Sequence, residues 1–221
     1  MPADCHSRFT ASCRWLILVG VTLRQIKKER TRQNIADTAL RLFTERGYEQ
    51  TTIEEIATQA EVGTRTLYRY YATKEDLVLG STRPGLRQLV DGLRARPDDE
   101  PLSRSLNAIL TQFCYILSVE RERGLVLREL IERTPSVRAR VYDEIGRTRV
   151  ELAREIRRRL GSARGDPSPE LAAGVVMVVV DLAVVTWAAG RRSPHRVVEQ
   201  AVQLLSGGMV PVPSAGENGP V

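Results

Sequence analysis

Residues 63 to 77, GTRTLYRYYATKEDL, concentrate side chains suited to binding an anion rather than to breaking a covalent bond. The segment holds three of the six tyrosines of the chain, together with the cations Arg65, Arg69 and Lys74. Arginine can bind guanine through two hydrogen bonds, and a tyrosine hydroxyl can donate to a phosphate oxygen. These residue types therefore indicate a surface that recognises an anionic polymer.

The rest of the sequence offers little for catalysis or metal binding. Cys5, Cys13 and Cys114 are far apart and form no CxxC pair, and His6 and His195 lie at opposite ends of the chain. This spacing argues against a zinc site or a disulfide framework. There is also no GxSxG motif and no phosphate-binding glycine loop. We expect a protein that is not an enzyme and that uses no metal or other cofactor.

Composition permits a polyanionic partner without requiring one. The chain has 221 residues, a net charge of +6 and a pI of about 9.6, and 42% of its residues are hydrophobic, which is enough for a core. Nearly all of the positive charge is arginine, since lysine occurs only at positions 27, 28 and 74. GC-rich codons would explain that bias equally well.

Helical periodicity around the opening segment predicts how its side chains are positioned. An apolar stripe predicts a helix over 31–46 that ends at Gly47, and Thr52 with Glu55 forms a capping-box pair at the start of the next short helix. The helix after it buries Leu67 and Tyr71. Thr73 should then cap a further short helix. Two short helices joined by a tight turn describe a helix-turn-helix, and the alternative is a solvated helix with stray aromatic residues.

Helices also dominate the remainder of the chain, and no strand pattern competes with them. Apolar spacing predicts helices over roughly 84–95, around Leu106 to Leu117, around Leu125 to Leu130, from Val137 to Leu160, over 171–190, and a last one to about Leu205. The fold class is therefore all-α. Residues 207–221 read as a disordered tail.

The stretch 171–190, LAAGVVMVVVDLAVVTWAAG, is long enough to span a membrane. Asp181 lies at its centre, however, and a central carboxylate costs about 2.5–3.5 kcal/mol on insertion scales. Burial between protein partners explains an all-round apolar helix equally simply, and we favour it. The apolar run 15–23 is too short to span, and we interpret residues 1–23 as a non-native or disordered N-terminal extension.

Residues 31 to 77 resemble the N-terminal domain of the TetR family of bacterial transcriptional regulators. The matching features are the first helix with Ala39, Leu40 and Phe43, the run TTIEEIA, the run TLY, and Lys74 through Leu77. They cover about a fifth of the chain. The resemblance implies an all-helical homodimer with a small DNA-binding domain and a larger variable domain that binds an effector and the other subunit.

The resemblance also implies which residues touch operator DNA. They are Thr52, Thr64, Arg65, Thr66, Tyr68, Tyr70 and Lys74. Thr64 and Arg65 occupy the base-reading positions, and the others should hold the sugar-phosphate backbone. Because Leu67 and Tyr71 form the buried face of the predicted helix, we expect the remaining residues to point outward, and this adds Arg69 to the set: Thr64, Arg65, Thr66, Tyr68, Arg69 and Tyr70. Gly63 stands where the family often has a serine cap, so the phosphate hydrogen bond of that side chain is missing here. Arg65 stands where a small residue is common. Tyr70 stands where histidine is frequent and should serve similarly.

These observations predict a cytoplasmic, TetR-like repressor that acts as a homodimer and is released from a palindromic operator by a small-molecule effector. We divide the chain into the extension 1–23, a helix-turn-helix domain 24–81, a helical effector-binding and dimerisation domain 82–206, and the tail. Phe113 and Leu117 are the candidate pocket residues. Asp181 could line the same pocket and meet a cationic effector, or pair with an arginine across the dimer interface. The rival hypothesis is a membrane-anchored regulator or interaction protein that uses 171–190 as a span.

Overall fold

A computed structural model describes residues 22–207. Within that range the chain forms helices joined by short turns and contains no strand, so the all-α prediction is confirmed. The helices are α1 (Leu23–Arg46), α2 (Ile53–Gln59), α3 (Thr64–Tyr70), α4 (Lys74–Arg94), α5 (Leu102–Val119), α6 (Arg121–Arg133), α7 (Pro135–Leu160), α8 (Ser168–Ala188) and α9 (Pro194–Ser206).

The chain divides into two compact units, one ending at Ser81 and the other beginning at Thr82. The core of the first unit is built from the apolar faces of α1, α2, α3 and the first turns of α4. Its least exposed side chains are Ile35, Ala39, Leu42, Ile56, Leu67, Tyr71, Leu77 and Leu79. Such short helices can bury this much only because each contributes residues at three- and four-residue spacing.

Helix α1 begins eight residues before the predicted start at residue 31. Its first turn is closed by a capping box in which the backbone N–H of Gln25 donates to the Thr22 hydroxyl at 3.3 Å and the Gln25 side chain accepts from the Thr22 N–H at 2.8 Å. Thr22 and Leu23 therefore belong to α1 and its cap rather than to the predicted extension, while residues 1–21 lie outside the described range. Gly47 ends the helix with a φ of 87°, as predicted.

Helix α4 is a second correction, because the sequence predicted one short helix after Thr73 and another over 84–95. Thr73 does cap the first turn, since its hydroxyl accepts from the Asp76 N–H at 3.1 Å. The helix then continues through Pro84 to Arg94. Proline removes one backbone hydrogen bond from a helix interior. The buried side chains beyond it, Leu86, Leu89 and Leu93, hold the helix to the core of the second unit.

The second unit packs the last turns of α4 together with α5, α7, α8 and α9 in one core. Its central side chains are Leu93, Ile109, Cys114, Leu152, Ile156, Ala173, Val176, Val180, Ala183 and Val198. Polar contacts fix the loop between α4 and α5, because the Arg159 guanidinium donates to the Ser105 hydroxyl at 3.0 Å and also to the Pro97 carbonyl. Ser193 caps α9 by accepting from the Arg196 N–H.

Helix α8 is apolar on two opposite sides. One side contributes to the core just described. The other side leaves a row of apolar residues exposed at three- and four-residue spacing: Leu171, Val175, Val178, Leu182 and Val185. By length and composition alone this helix could cross a membrane. A helix whose second apolar side meets another protein surface has the same length and composition.

Candidate nucleic-acid interface

Helices α2 and α3 and the turn between them form a helix-turn-helix whose geometry is set by the backbone. The Val62 N–H donates to the Ala57 carbonyl at 2.9 Å, and Glu61 adopts a φ of 57°. Gly63 then precedes α3, and its carbonyl accepts from the Thr66 and Leu67 N–H groups. Gly63 has no side chain with which to cap the helix, so the Thr64 and Arg65 amides at the start of α3 have no N-cap side chain to which they can donate a hydrogen bond.

Helix α3 buries one face and exposes another. Leu67 is completely buried and Tyr71 is 2% exposed, as the sequence predicted. Of the residues expected to point outward, Arg65, Tyr68 and Arg69 are exposed, whereas Thr64, Thr66 and Tyr70 are half-buried. The Arg69 guanidinium lies 5.5 Å from the centroid of the Tyr70 ring, which orders the two side chains together. The exposed face of α3 is thus cationic and aromatic, formed by Arg65, Tyr68 and Arg69.

Two long-range hydrogen bonds hold this motif against α1. The Tyr71 hydroxyl donates to the Arg32 carbonyl at 3.0 Å, and the Arg32 guanidinium lies 5.7 Å from the Tyr71 ring centroid. The Asn34 amide donates to the Ala60 carbonyl at 3.0 Å, at the end of α2. Sequence reasoning missed these roles of Arg32 and Asn34. Both are polar residues immediately before the buried face of α1, and that position was the available signal.

Thr52 is engaged in its own helix cap. Its backbone N–H and its hydroxyl both donate to a Glu55 carboxylate oxygen, at 2.9 and 3.1 Å, and its hydroxyl accepts from the Glu55 N–H. The Thr52 hydrogen bonds lower the pKa of Glu55, and the Arg46 guanidinium adds to that effect. A phosphate contact through Thr52 would therefore compete with the cap for the same two donors.

Lys74 is placed against aromatic rings rather than extended into solvent. Its ammonium lies 4.4 Å from the centroid of Tyr48 and 5.8 Å from that of Phe43, and it donates to the Glu49 carbonyl at 3.5 Å. Burial lowers the pKa of this ammonium, although the Glu49 and Glu75 carboxylates oppose the shift. Lys74 therefore contributes to packing in the first unit, a role the sequence did not reveal.

Two of the three candidate effector residues share a half-buried side of α5, and the third is exposed on α8. Phe113 is half-buried beside the core of the second unit, where a Cβ atom on Gly85 would meet its ring at 3.7 Å. Leu117 lies one turn further along α5 and is also half-buried. Asp181 is exposed, next to the outward row of α8 that contains Val178 and Val185. The part of the chain that the structure describes contains no cluster of side chains able to hold a metal ion.

Comparison with protein families assigns both parts of the chain. Residues 35–80 match the model of bacterial regulatory proteins of the tetR family, and residues 100–210 match the model of the MftR C-terminal domain. The chain belongs to the TetR family. The second match alone covers half of the chain, and the first coincides with the helix-turn-helix just described. The resemblance found in the sequence is confirmed, and the chain is a DNA-binding transcriptional regulator.

A curated relative supports the same assignment. The transcriptional regulator TcmR of Streptomyces glaucescens is 33% identical over 148 residues, which cover 64% of this chain and 66% of TcmR. The relatives are transcriptional regulators, so a membrane-anchored role for the TetR-family chain is not favoured.

Solved structures share the fold. A TetR-family protein from Syntrophomonas wolfei superposes with a TM-score of 0.61 at 19% identity, covering 86% of this chain and all of that one. The TetR-family repressor FadR of Thermus thermophilus, solved in complex with lauroyl-CoA, superposes with a TM-score of 0.52 at 27% identity, covering 85% of this chain and all of FadR. Both likenesses extend over both compact units of this chain.

Proposed function

We propose that this TetR-family regulator is a homodimeric repressor that binds a near-palindromic operator and leaves it when an amphipathic small molecule binds the second unit. The observation that carries the first half of the proposal is the exposed face of α3. That face presents Arg65, Tyr68 and Arg69 on a helix whose opposite face is buried and whose end is fixed to α1 by Tyr71.

Within this proposal the exposed residues have different tasks. Arg65 lies in the first turn of α3, the part of a recognition helix that approaches base edges, and its guanidinium can bind guanine through two hydrogen bonds. Thr64 reads the neighbouring base. Thr66, Tyr68 and Tyr70 hold phosphates and sugars. The amides at the start of α3, which no side chain caps, add a further phosphate-binding group.

The phosphate contacts assigned to Thr52 and Lys74 compete with contacts inside the first unit. Thr52 already has the Glu55 carboxylate as a partner, and Lys74 has the rings of Tyr48 and Phe43. We place both residues at the edge of the interface, where each holds the start of its helix in position. The Thr52 hydroxyl dipole and the Lys74 charge then both attract the DNA backbone. Their substitution should therefore alter folding stability as well as affinity.

The exposed row of α8 is the proposed dimer interface. Leu171, Val178 and Leu182 are 65%, 67% and 47% exposed, an apolar surface that a monomer would leave in water. A second copy of the chain is the occupant that fits, because a repressor reading two half-sites needs two recognition helices about 34–36 Å apart, one turn of DNA. Asp181 borders this row, and we propose that it pairs with an arginine of the second copy.

The proposed effector is a molecule with a long apolar chain and a polar head, of the acyl-CoA class. The FadR relative was solved with lauroyl-CoA, and the match to it spans both units of this chain. The binding site would lie among the helices between residues 102 and 190, with Phe113 and Leu117 on one wall. A ligand that favours a different arrangement of these helices lowers operator affinity by linkage, and operator DNA lowers ligand affinity by the same factor.

Selection of bound duplexes from a random pool tests the DNA-binding proposal. The wild-type chain should recover an inverted repeat with half-sites one helical turn apart, and lauroyl-CoA should weaken its binding to that duplex. Recovery of sequences without a shared motif would contradict operator recognition. Recovery of the chain with the membrane fraction of its host would favour the rival membrane-anchored function over the cytoplasmic one that we propose.

A further inference from the structure

The first turns of α1 form a basic helical segment, residues 24–32, and most of its cations have no folding contact among the described residues. We infer that it is a second DNA-contacting element, which binds phosphates of the sugar-phosphate backbone beside those held by α3. The inference rests on the proposed operator binding and adds an element to it. The residues assigned to phosphates are Arg24, Lys27 and Lys28, with Arg32 at the base of the segment.

The segment is ordered as a helix although none of its side chains is buried. The same holds for all of residues 23–34, and the first buried side chain of α1 is Ile35. The helix is started by the Thr22 and Gln25 capping box and continues without interruption into the core. Residues 23–30, about a third of α1, therefore extend beyond the contacts that Arg32 and Asn34 make with the other helices, as a largely exposed helical rod.

The cations lie on one face of this rod. At 100° per residue, Arg24, Lys27, Lys28 and Arg32 recur at i, i+3, i+4 and i+8, whereas Arg30 and Glu29 lie on the other sides of the helix. Continued at the same spacing, this face becomes the one that buries Ile35. The cationic face therefore looks towards the side of α1 on which the other helices of the first unit pack.

Contact between Arg32 and Tyr71 connects this face to the recognition helix. Tyr71 is the residue that ends α3, its hydroxyl donates to the Arg32 carbonyl at 3.0 Å, and the Arg32 guanidinium lies over its ring. The rod thus leaves the unit next to the C-terminal end of α3. Between Arg24 and Arg32 the helix extends about 12 Å, at a rise of 1.5 Å per residue. Several consecutive phosphates of one DNA strand lie within that length.

Folding physics opposes this arrangement, which argues that it serves a partner. Like charges four residues apart destabilise a helix, and Arg24 with Lys28 and Lys28 with Arg32 are such pairs. Cations near a helix N-terminus also interact unfavourably with the helix dipole. Within the described residues, no carboxylate forms an ion pair with Arg24, Lys27 or Lys28. A row of phosphates offsets both penalties.

Salt dependence measures the contact directly. The triple variant Arg24→Gln, Lys27→Gln, Lys28→Gln keeps helix-forming side chains and removes three charges. On the duplex recovered by selection with the wild-type chain, its affinity should fall by about tenfold or more, and the slope of log K against log salt should flatten by about 2–3, since each lost phosphate contact contributes about 0.9. Circular dichroism checks that the helix content is retained.

Two matched controls separate a specific contact from bulk charge. The single variants Arg30→Gln and Lys28→Gln each remove one positive charge, but from different faces of the same helix. Only Lys28→Gln should flatten the slope of log K against log salt, by about one. Arg149→Gln, Arg154→Gln, Arg164→Gln removes three exposed charges from the second unit and should leave the slope unchanged.

Equal losses in the two triple variants, or an unchanged slope in the first, would overturn the inference while leaving operator binding intact. Failure of the proposed function is a different result, because the wild-type chain would then select no duplex at all.

Discussion

The Gly80 backbone lies directly against the Tyr71 side chain. A Cβ atom on residue 80 would come 2.5 Å from the Tyr71 hydroxyl oxygen and 2.9 Å from the Ala36 methyl carbon. The same hydroxyl donates to the Arg32 carbonyl. The end of the recognition helix is therefore held between α1 and α4, and its position depends on the absence of a single methyl group.

Replacing Gly80 with alanine should destabilise the chain, although alanine is the better helix former. Overpacking of a closed core typically lowers the free energy of unfolding by about 1–3 kcal/mol. The group that a new methyl would displace here is the Tyr71 side chain, and its displacement would also disturb the hydrogen bond from the Tyr71 hydroxyl to the Arg32 carbonyl. Urea unfolding measures the change. Gly146→Ala is the matched control, because Gly146 is also in a helix interior but has open space around it, and that variant should be as stable as the wild type or more so. Equal stability of all three chains would contradict this packing of Gly80.

Acid should weaken the second unit through Glu100. The Arg96 guanidinium and the Ser105 hydroxyl donate to this carboxylate and lower its pKa from 4.5 to about 2. Because the folded pKa lies below the unfolded one, the contribution to stability is complete above pH 4.5 and is lost as pH falls towards 2. Glu100→Gln should flatten that part of the curve of unfolding free energy against pH, and Ser105→Ala should flatten it partly. Identical curves for the variants and the wild type would remove Glu100 from the acid response.

A charge in the outward row of α8 should prevent dimer formation. Val178→Asp places a carboxylate in the proposed interface, where it loses water without gaining a partner. Val119→Asp is a close control, since Val119 at the end of α5 is 66% exposed and Val178 is 67% exposed. Analytical ultracentrifugation should show monomers for the first variant and dimers for the second. Dimers in both would move the interface away from α8.

Phe113→Ala should reduce the response to an acyl-CoA without reducing operator affinity in its absence. The ring is half-buried beside the core, so its loss removes apolar contact from a long-chain ligand. A titration of operator affinity against lauroyl-CoA measures both quantities. Tyr115→Ala is the control, because Tyr115 on the same helix is 59% exposed and should not contact a ligand held in the core. An unchanged response in Phe113→Ala would remove Phe113 from the pocket.

The parts of the fold that the sequence predicted are those determined by neighbouring residues. The capping box of Thr52 and Glu55, the helix end at Gly47 and the inward pair Leu67 and Tyr71 each depend on residues within one or two turns. A helix-turn-helix consists almost entirely of such local signals. The position of its recognition helix and the buried face of that helix therefore follow from the sequence.

The features that escaped prediction depend on distant partners. Helix α4 passes through Pro84 because Leu86 and Leu89 are buried in the second unit, and sequence alone does not reveal that burial. The Lys74 ammonium rests on Tyr48, which lies far earlier in the chain. The early start of α1 depends on a cap at Thr22 that precedes a row of like charges, a composition that local propensity disfavours.

Base selection by Arg65 is the most direct test of operator recognition by α3. Random-pool selection with the wild-type chain and with Arg65→Ala, followed by affinity measurements on each single-base change of the recovered operator, separates base reading from backbone binding. We expect Arg65→Ala to lose preference at one position of each half-site, worth about 1–3 kcal/mol there, and to retain it elsewhere. Lys74→Ala should weaken binding to all sequences alike. An Arg65→Ala variant that loses affinity equally on every sequence would contradict base reading by Arg65, because that side chain would then bind only the backbone.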